Sequence, residues 1–285
     1  MKEEFTMKRN IIFAVVAVSA LLLSFSCTKQ DETPARNFTA TIDQALTKTT
    51  LSDLQSLGEK EGYFIYWDDK DRVNINGSNY YAVPREKDKT SATLKYIDGP
   101  VPNSPYKAVF PATLYDDESG KYKFPRVQEY EKGRFNAPMA AVSKDETLCF
   151  RSICGVICFT LTGTGTVKQI QITSEQSPLS GPFDLYEDGR VKMTASPGFD
   201  YITLDCGDGV HLSGDPQKFY VYLPGDKEYH DLDIRVFDFN GKWSCYDKPQ
   251  TIKPLPVNSG FLYDIVWDGI EFENMQEYDP HYDNR

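Results

Sequence analysis

The stretch LCFRSICGVICFTL, residues 148–161, decides the fold class of this chain. It consists mainly of β-branched, aromatic and small apolar residues and contains no proline, which is typical of a buried strand. In both directions from it, short apolar runs alternate with turn residues roughly every 8–15 residues, and no long helical pattern intervenes. The sequence therefore predicts an all-β protein of sandwich or barrel type.

The clearest half-buried strand lies near the start of this pattern, at residues 37–43, where Phe38, Ala40 and Ile42 alternate with threonines. Further strands are predicted at 63–67, 72–75, 92–96, 106–110, 167–172, 183–186, 190–193, 201–204, 219–223, 232–239, 242–246 and 260–265. Turns are predicted at 68–71, Asn76-Gly77, 116–120, Gly163-Thr164-Gly165 and 205–209. We expect the polar segments between strands to lie at the surface.

The length suits one large β domain or two ordinary ones, each with its own core. We predict an N-terminal β-sandwich domain at residues 37–142 and a C-terminal one at 143–270, with a linker around Pro138. An acidic tail follows at 271–285.

The N-terminus has the features of an export signal. Lys8 and Arg9 precede an apolar run from Ile11 to Leu23, which is too short to span a bilayer. The small residues before Cys27 resemble a bacterial lipobox, which implies a signal peptide at 1–26, lipid attachment to Cys27 and a polar tether at 27–36. The alternative is an ordinary signal peptide with an unrelated cysteine.

The charge and the motifs exclude several functions. A net charge of −11 argues against a nucleic-acid partner, which needs a basic surface. The three histidines form no metal-binding pair, and no catalytic motif occurs, so we predict no enzyme, no cofactor and no metal. The acidic stretch Asp205-Cys206-Gly207-Asp208-Gly209 could hold a cation, but it lacks the ladder of a calcium loop and favours an ordinary turn.

Five cysteines remain after Cys27. Cys154 and Cys158 would lie about 13 Å apart in an extended strand, whereas the Cα atoms of a disulfide lie within about 7 Å. We therefore interpret the crowded trio of Cys149, Cys154 and Cys158 as core thiols. A bridge to Cys206 or Cys245, or a metal site, stays open as an alternative.

Several phrases, in this order and spacing, resemble the Bacteroidetes fimbrillins. In the N-terminal half they are Thr47-Lys48-Thr49, Ile65-Tyr66-Trp67, Asp71-Arg72-Val73 and residues 106–112. In the C-terminal half they are residues 138–142, 152–157, 161–163, 167–170 and 179–181. Lys70-Asp71 stands where the family usually has Gly-Asp.

The resemblance implies two transthyretin-like β-sandwich domains in tandem and a cell-surface fimbrial subunit or adhesin at the outer membrane. It also implies that a protease removes the N-terminal strand and that a strand of another subunit replaces it. Arg36 and Lys48 flank that strand and are the candidate cleavage sites. The segment after Ile265 is the candidate donor strand, and the expected partners are other fimbrial subunits, the membrane through the lipid, and a host or bacterial receptor or glycan.

The competing hypothesis is a surface glycan-binding lipoprotein. It would need exposed aromatic platforms, for which the candidates are Tyr80, Tyr81, Trp243 and Tyr246. A hydrolase is a third hypothesis, but no catalytic set supports it.

Overall fold

The chain is almost entirely β-structure, which confirms the all-β class. The computed structural model describes residues 36–43, 61–62, 65–132, 136–194, 200–230, 232–245, 255–257, 259 and 261–272. In these residues a short 3-10 helix lies at Ala112–Leu114, and no helix in this part of the chain could cross a membrane.

The strands are numbered in chain order. The first eleven are β1 (Phe38–Ile42), β2 (Glu61–Gly62), β3 (Arg72–Ile75), β4 (Ser78–Arg85), β5 (Asp88–Asp98), β6 (Tyr106–Phe110), β7 (Tyr115–Asp116), β8 (Lys121–Phe124), β9 (Val127–Glu129), β10 (Met139–Ser143) and β11 (Thr147–Ser152). The remaining ten are β12 (Cys154–Ser174), β13 (Gly181–Leu185), β14 (Val191–Met193), β15 (Tyr201–Ser213), β16 (Gln217–Pro224), β17 (Lys227–Tyr229), β18 (Leu232–Phe237), β19 (Trp243–Cys245), β20 (Leu255–Val257) and β21 (Phe261–Glu271).

Seven strands form a closed barrel in the order β1-β11-β10-β6-β3-β4-β5. The barrel closes because β1 pairs antiparallel with β5 on one side and parallel with β11 on the other. The sequence predicts an N-terminal sandwich, whereas the strand order gives a closed barrel. The β3–β4 hairpin turns at Asn76-Gly77, where both residues have positive φ (49° and 88°), as the predicted turn requires.

A second sheet is organised around β12, which is 21 residues long. The first half of β12 pairs with β16 and β21, and the second half pairs with β15 and β18. The two halves meet at Gly163-Thr164-Gly165, which we had predicted as a turn. The glycines are needed there because a Cβ on Gly163 would lie 2.1 Å from the carbonyl oxygen of Ile270 in β21.

Two other sequence predictions were wrong. Residues 65–67 of the strand predicted at 63–67 are not in a strand, although Trp67 is buried; residues 63–64 lie outside the described part. The turn predicted at 205–209 lies inside β15, which runs on past Gly207 and Gly209 with a bulge against β12. Bulges and turns both favour glycine, so the amino-acid composition of a segment does not distinguish one from the other.

The hydrophobic residues form two cores. One fills the barrel and reaches Val156 in β12, and the other begins at Ile157 and continues through β15, β16 and β18. The predicted boundary at 142/143 falls inside β10, and the expected linker at Pro138 leads directly into that barrel strand. The change from barrel to second sheet falls at Ile153, between β11 and β12.

Candidate functional site

The structural feature with the most direct functional meaning is the position of β1 in the barrel. Both of its edges are paired: Thr39 aligns with Thr93 of β5 and with Thr147 of β11. At its two ends, the backbone N–H of Thr39 donates to the carbonyl of Glu146 and that of Asp43 donates to Phe150, each at 2.8 Å. We call the space between β5 and β11 that this strand fills the β1 groove.

The inward face of β1 carries the alternating residues that the sequence predicted. Phe38, Ala40 and Ile42 are buried, while the two threonines between them are half-buried. The Phe38 ring meets the rings of Tyr80 and Tyr106 edge to face, with centroids 5.4 and 4.9 Å apart. Ala40 lies opposite Ala92 and Leu148, both without exposed surface. The groove is therefore wide at Phe38 and narrow at Ala40.

Each end of β1 is held by an ion pair to the segment that contains β11. The Arg36 guanidinium donates to the Tyr106 hydroxyl at 2.5 Å and to Glu146 Oε1 at 3.3 Å. At the other end, Arg151 Nε lies 3.2 Å from Asp43 Oδ2. Sequence reasoning missed Glu146 and Arg151, because Glu146 is 110 residues from Arg36 and no local pattern links them.

The hydroxyl of Tyr80 is buried beneath this site. It has no hydrogen-bond partner among the described residues, and burial raises the pKa of Tyr80 to about 12. A buried hydroxyl without a partner costs about 1–3 kcal/mol of desolvation.

We therefore expect Tyr80→Phe to raise the free energy of unfolding by about 1 kcal/mol, because it removes only the unpaired hydroxyl. Tyr106→Phe is the matched control, since it removes a hydroxyl that does accept a bond from Arg36, and it should lower the same quantity. Urea unfolding of both variants measures the difference. If the two substitutions lower the free energy of unfolding equally, the Tyr80 hydroxyl is not buried without a hydrogen-bond partner.

Most of the other site residues predicted from the sequence lie outside the described part of the chain. Cys27 and Lys48 lie outside the described residues, and so do the signal peptide, most of the tether and residues 273–285 of the tail. Arg36 is described and engaged as stated above. The sequence thus identified the strand correctly, but the structure describes only one of its two candidate cleavage sites.

The cysteines divide into buried and exposed thiols. Cys154 and Cys158 are buried as predicted, but Cys149 is exposed, because its side chain lies on the outer face of β11. Cys206 is buried too, although the sequence placed it in a turn. None of the five cysteines in the described part of the chain forms a disulfide. Burial raises the pKa of Cys158 and of Cys206 to about 12.

We expect Cys149 to be alkylated within minutes by iodoacetamide at pH 8, while Cys158 and Cys206 stay unmodified. A thiol with a pKa near 12 is ionised to roughly one part in ten thousand at pH 8, and only the thiolate reacts. Peptide mass mapping measures the labels, and the same reaction in denaturant should label every cysteine. Labelling of Cys158 at the rate of Cys149 in the folded protein would contradict the placement.

The acidic stretch at 205–209 is engaged in a salt bridge. Lys168 Nζ lies 3.0 Å from Asp205 Oδ1 and donates to the carbonyl of Gly207 at 2.7 Å. The Lys168 ammonium and the Gly207 N–H hold the pKa of Asp205 below its usual value. Among the described residues, no group of histidines, cysteines and carboxylates is arranged to hold a metal.

Of the candidate sugar-binding aromatics, three are described, and none of these three is fully exposed. Tyr80 is fully buried, and Tyr246 lies outside the described residues. Tyr81 is half-buried, 5.8 Å from the Arg72 guanidinium, and Trp243 is half-buried, 4.9 Å from that of Arg235. Tyr80 is therefore removed from the candidates.

The described part of the segment after Ile265 belongs to the second sheet. Residues up to Glu271 continue β21, which runs parallel to β12, and Phe272 is buried against Gly165. This part of the expected donor strand is already paired within its own subunit.

Similar solved structures come from cell adhesion and fimbrial proteins. A proposed cell adhesion protein from Bacteroides uniformis matches with a TM-score of 0.43 and 15% identity over 72% of this chain and 90% of that one. A second, from Bacteroides ovatus, has a TM-score of 0.41 and 10% identity over 81% and 91%. The tip fimbrial protein Mfa3 of Porphyromonas gingivalis has a TM-score of 0.27 and 10% identity over 69% and 87%.

No protein-family model matches the chain, and no curated protein matches it. The TM-scores of the three solved structures all lie below 0.5.

Proposed function

We propose that this chain is a structural or adhesive subunit of a cell-surface fimbria, exported as a lipoprotein through Cys27. After cleavage, a strand of another subunit replaces β1. The alternative, a glycan-binding lipoprotein, gains no support from the half-buried Tyr81 and Trp243 or from the buried Tyr80.

The observation that carries this proposal is the place of β1 in the closed barrel. Among the described strands it is the first in the chain and the one that joins β5 to β11. Its removal would expose the backbone N–H and C=O groups of two strand edges and the apolar pocket of Phe38. Such an opening binds an added strand, because main-chain hydrogen bonds and alternate side-chain pockets are both available.

The position of the cut decides whether β1 can leave. A cut after Lys48 separates β1 from the rest of the barrel, whereas a cut after Arg36 leaves it attached. The Arg36 side chain is bound by Tyr106 and Glu146, so a trypsin-like protease would have to displace it first. Lys48 is therefore the cut that we assign to assembly.

The experiment is limited trypsin digestion of soluble protein that begins at Thr28, followed by size-exclusion chromatography. We expect one early cut after Lys48 and then oligomers. Lys48→Gln should block both, whereas the control Arg36→Gln should still be cut after Lys48 and still assemble. A protein that is cut after Lys48 yet elutes as a monomer would contradict the proposal. If sugars then stabilise this monomer, the glycan-binding alternative is favoured.

A further inference from the structure

The two ends of the β1 groove carry opposite charges. Glu146 lies at the end where the strand enters and Arg151 at the end where it leaves, and each pairs with a residue of β1. The entry end is polar in addition, since the Tyr106 hydroxyl also accepts from Arg36. A strand that lay in the opposite direction would place its cation at Arg151 and its carboxylate at Glu146. Like charges at both ends would then oppose it.

The interior of the groove sets the register. Phe38 occupies a wide site between two tyrosine rings, and Ala40 occupies a narrow one between Ala92 and Leu148. A shift by one residue turns the apolar side chains outward. A shift by two places a large residue at the Ala40 site, where overpacking destabilises.

We propose that the β1 groove selects the direction and the register of the strand that binds in it. The strand that it accepts belongs to another subunit. In that strand a cationic residue lies two positions before a large apolar residue, and a small residue lies two positions after the same apolar residue. A carboxylate residue directly follows the last apolar residue of the strand. This inference rests on the proposed function and names Glu146, Arg151 and the narrow Ala40 site as its specificity-determining features.

The carboxyl-terminal segment of the same chain does not have this order of residues. Residues 254–284 contain no lysine or arginine, and those up to Glu271 already pair with β12. A donor strand from this segment would leave Glu146 without a cation. A copy of this chain that donates this segment is therefore expected to bind the groove more weakly than a strand that carries both charges.

The test uses the full chain with a recognition sequence for a highly specific protease in place of residues 46–50. After cleavage, a fluorescent peptide of residues 34–45 is exchanged into the groove and its dissociation constant is measured by anisotropy. A second peptide carries Arg36→Glu and Asp43→Arg. We expect it to bind about tenfold more weakly, because two partly exposed ion pairs become two repulsions.

A compensated variant inverts the preference without loss of folding. It carries Glu146→Lys and Arg151→Glu, together with Arg36→Glu and Asp43→Arg in its own β1, so its ion pairs are kept. After cleavage it should prefer the charge-swapped peptide by about tenfold. The control exchanges the charges of the exposed pair Asp188 and Arg190, which leaves net charge unchanged and should not alter the preference. A peptide with Ala40→Phe should bind at least about tenfold more weakly to both proteins.

Equal affinities of the two peptides for both proteins would overturn the proposal that the groove selects the direction of the strand. The proposal of strand replacement would still stand. If the Ala40→Phe peptide binds as tightly as the peptide of native sequence, the proposal that the groove selects the register is wrong. If no peptide exchanges into the groove, including the one with the native sequence, then strand replacement itself is wrong and the proposed function fails with it.

Discussion

Phe38→Ala is expected to lower the free energy of unfolding of the uncleaved protein by about 3–5 kcal/mol, the usual range for a buried phenylalanine. The Phe38 side chain is fully buried between Tyr80 and Tyr106, and alanine would leave a cavity that these rigid rings cannot fill. Urea unfolding measures the loss.

Thr39→Ala is the matched control, because its side chain points away from the barrel interior and is half-buried. Its cost should stay below about 1 kcal/mol. A similar cost for the two substitutions would mean that β1 does not insert its alternating face into the barrel. The proposed exchange of strands would then lose its structural basis.

Gly163→Ala is expected to lower the free energy of unfolding by at least about 3 kcal/mol. The new Cβ would lie 2.1 Å from the carbonyl oxygen and 2.6 Å from the amide nitrogen of Ile270, so β12 and β21 would have to separate. The φ of +144° at this position adds backbone strain. Denaturant unfolding reports the loss.

Gly189→Ala separates the steric clash from the backbone strain. Gly189 also has a positive φ, +81°, but a Cβ there would meet nothing within 4 Å, so only the left-handed backbone opposes the change, at about 1–2 kcal/mol. Equal costs at the two glycines would show that β21 does not approach β12 as closely as described.

The sequence was sufficient where the structure is determined by neighbouring residues. The alternation of Phe38, Ala40 and Ile42 predicted β1, and Asn76-Gly77 predicted the tight turn between β3 and β4. Both follow from preferences of the residues concerned. The all-β class followed from the same local patterns.

The sequence was insufficient where contacts between distant segments determine the local structure. Gly163-Thr164-Gly165 and Asp205 to Gly209 have the composition of turns, yet both lie within long strands, because close approach of Ile270 and a bulge between β12 and β15 require glycine there. The closure of the barrel depends on pairing between β1 and β11, and the charges of Glu146 and Arg151 reach β1 only through that pairing. The outward position of Cys149 likewise depends on which face of β11 meets the core.

The central claim is that β1 leaves its subunit and is replaced when the subunit assembles. Native mass spectrometry of the oligomers formed after limited cutting at Lys48 tests this most directly, because residues 28–48 either depart or stay bound. We expect each assembled subunit to lack the mass of that fragment. Oligomers in which every subunit retains it would contradict strand replacement, whatever other contact holds them together.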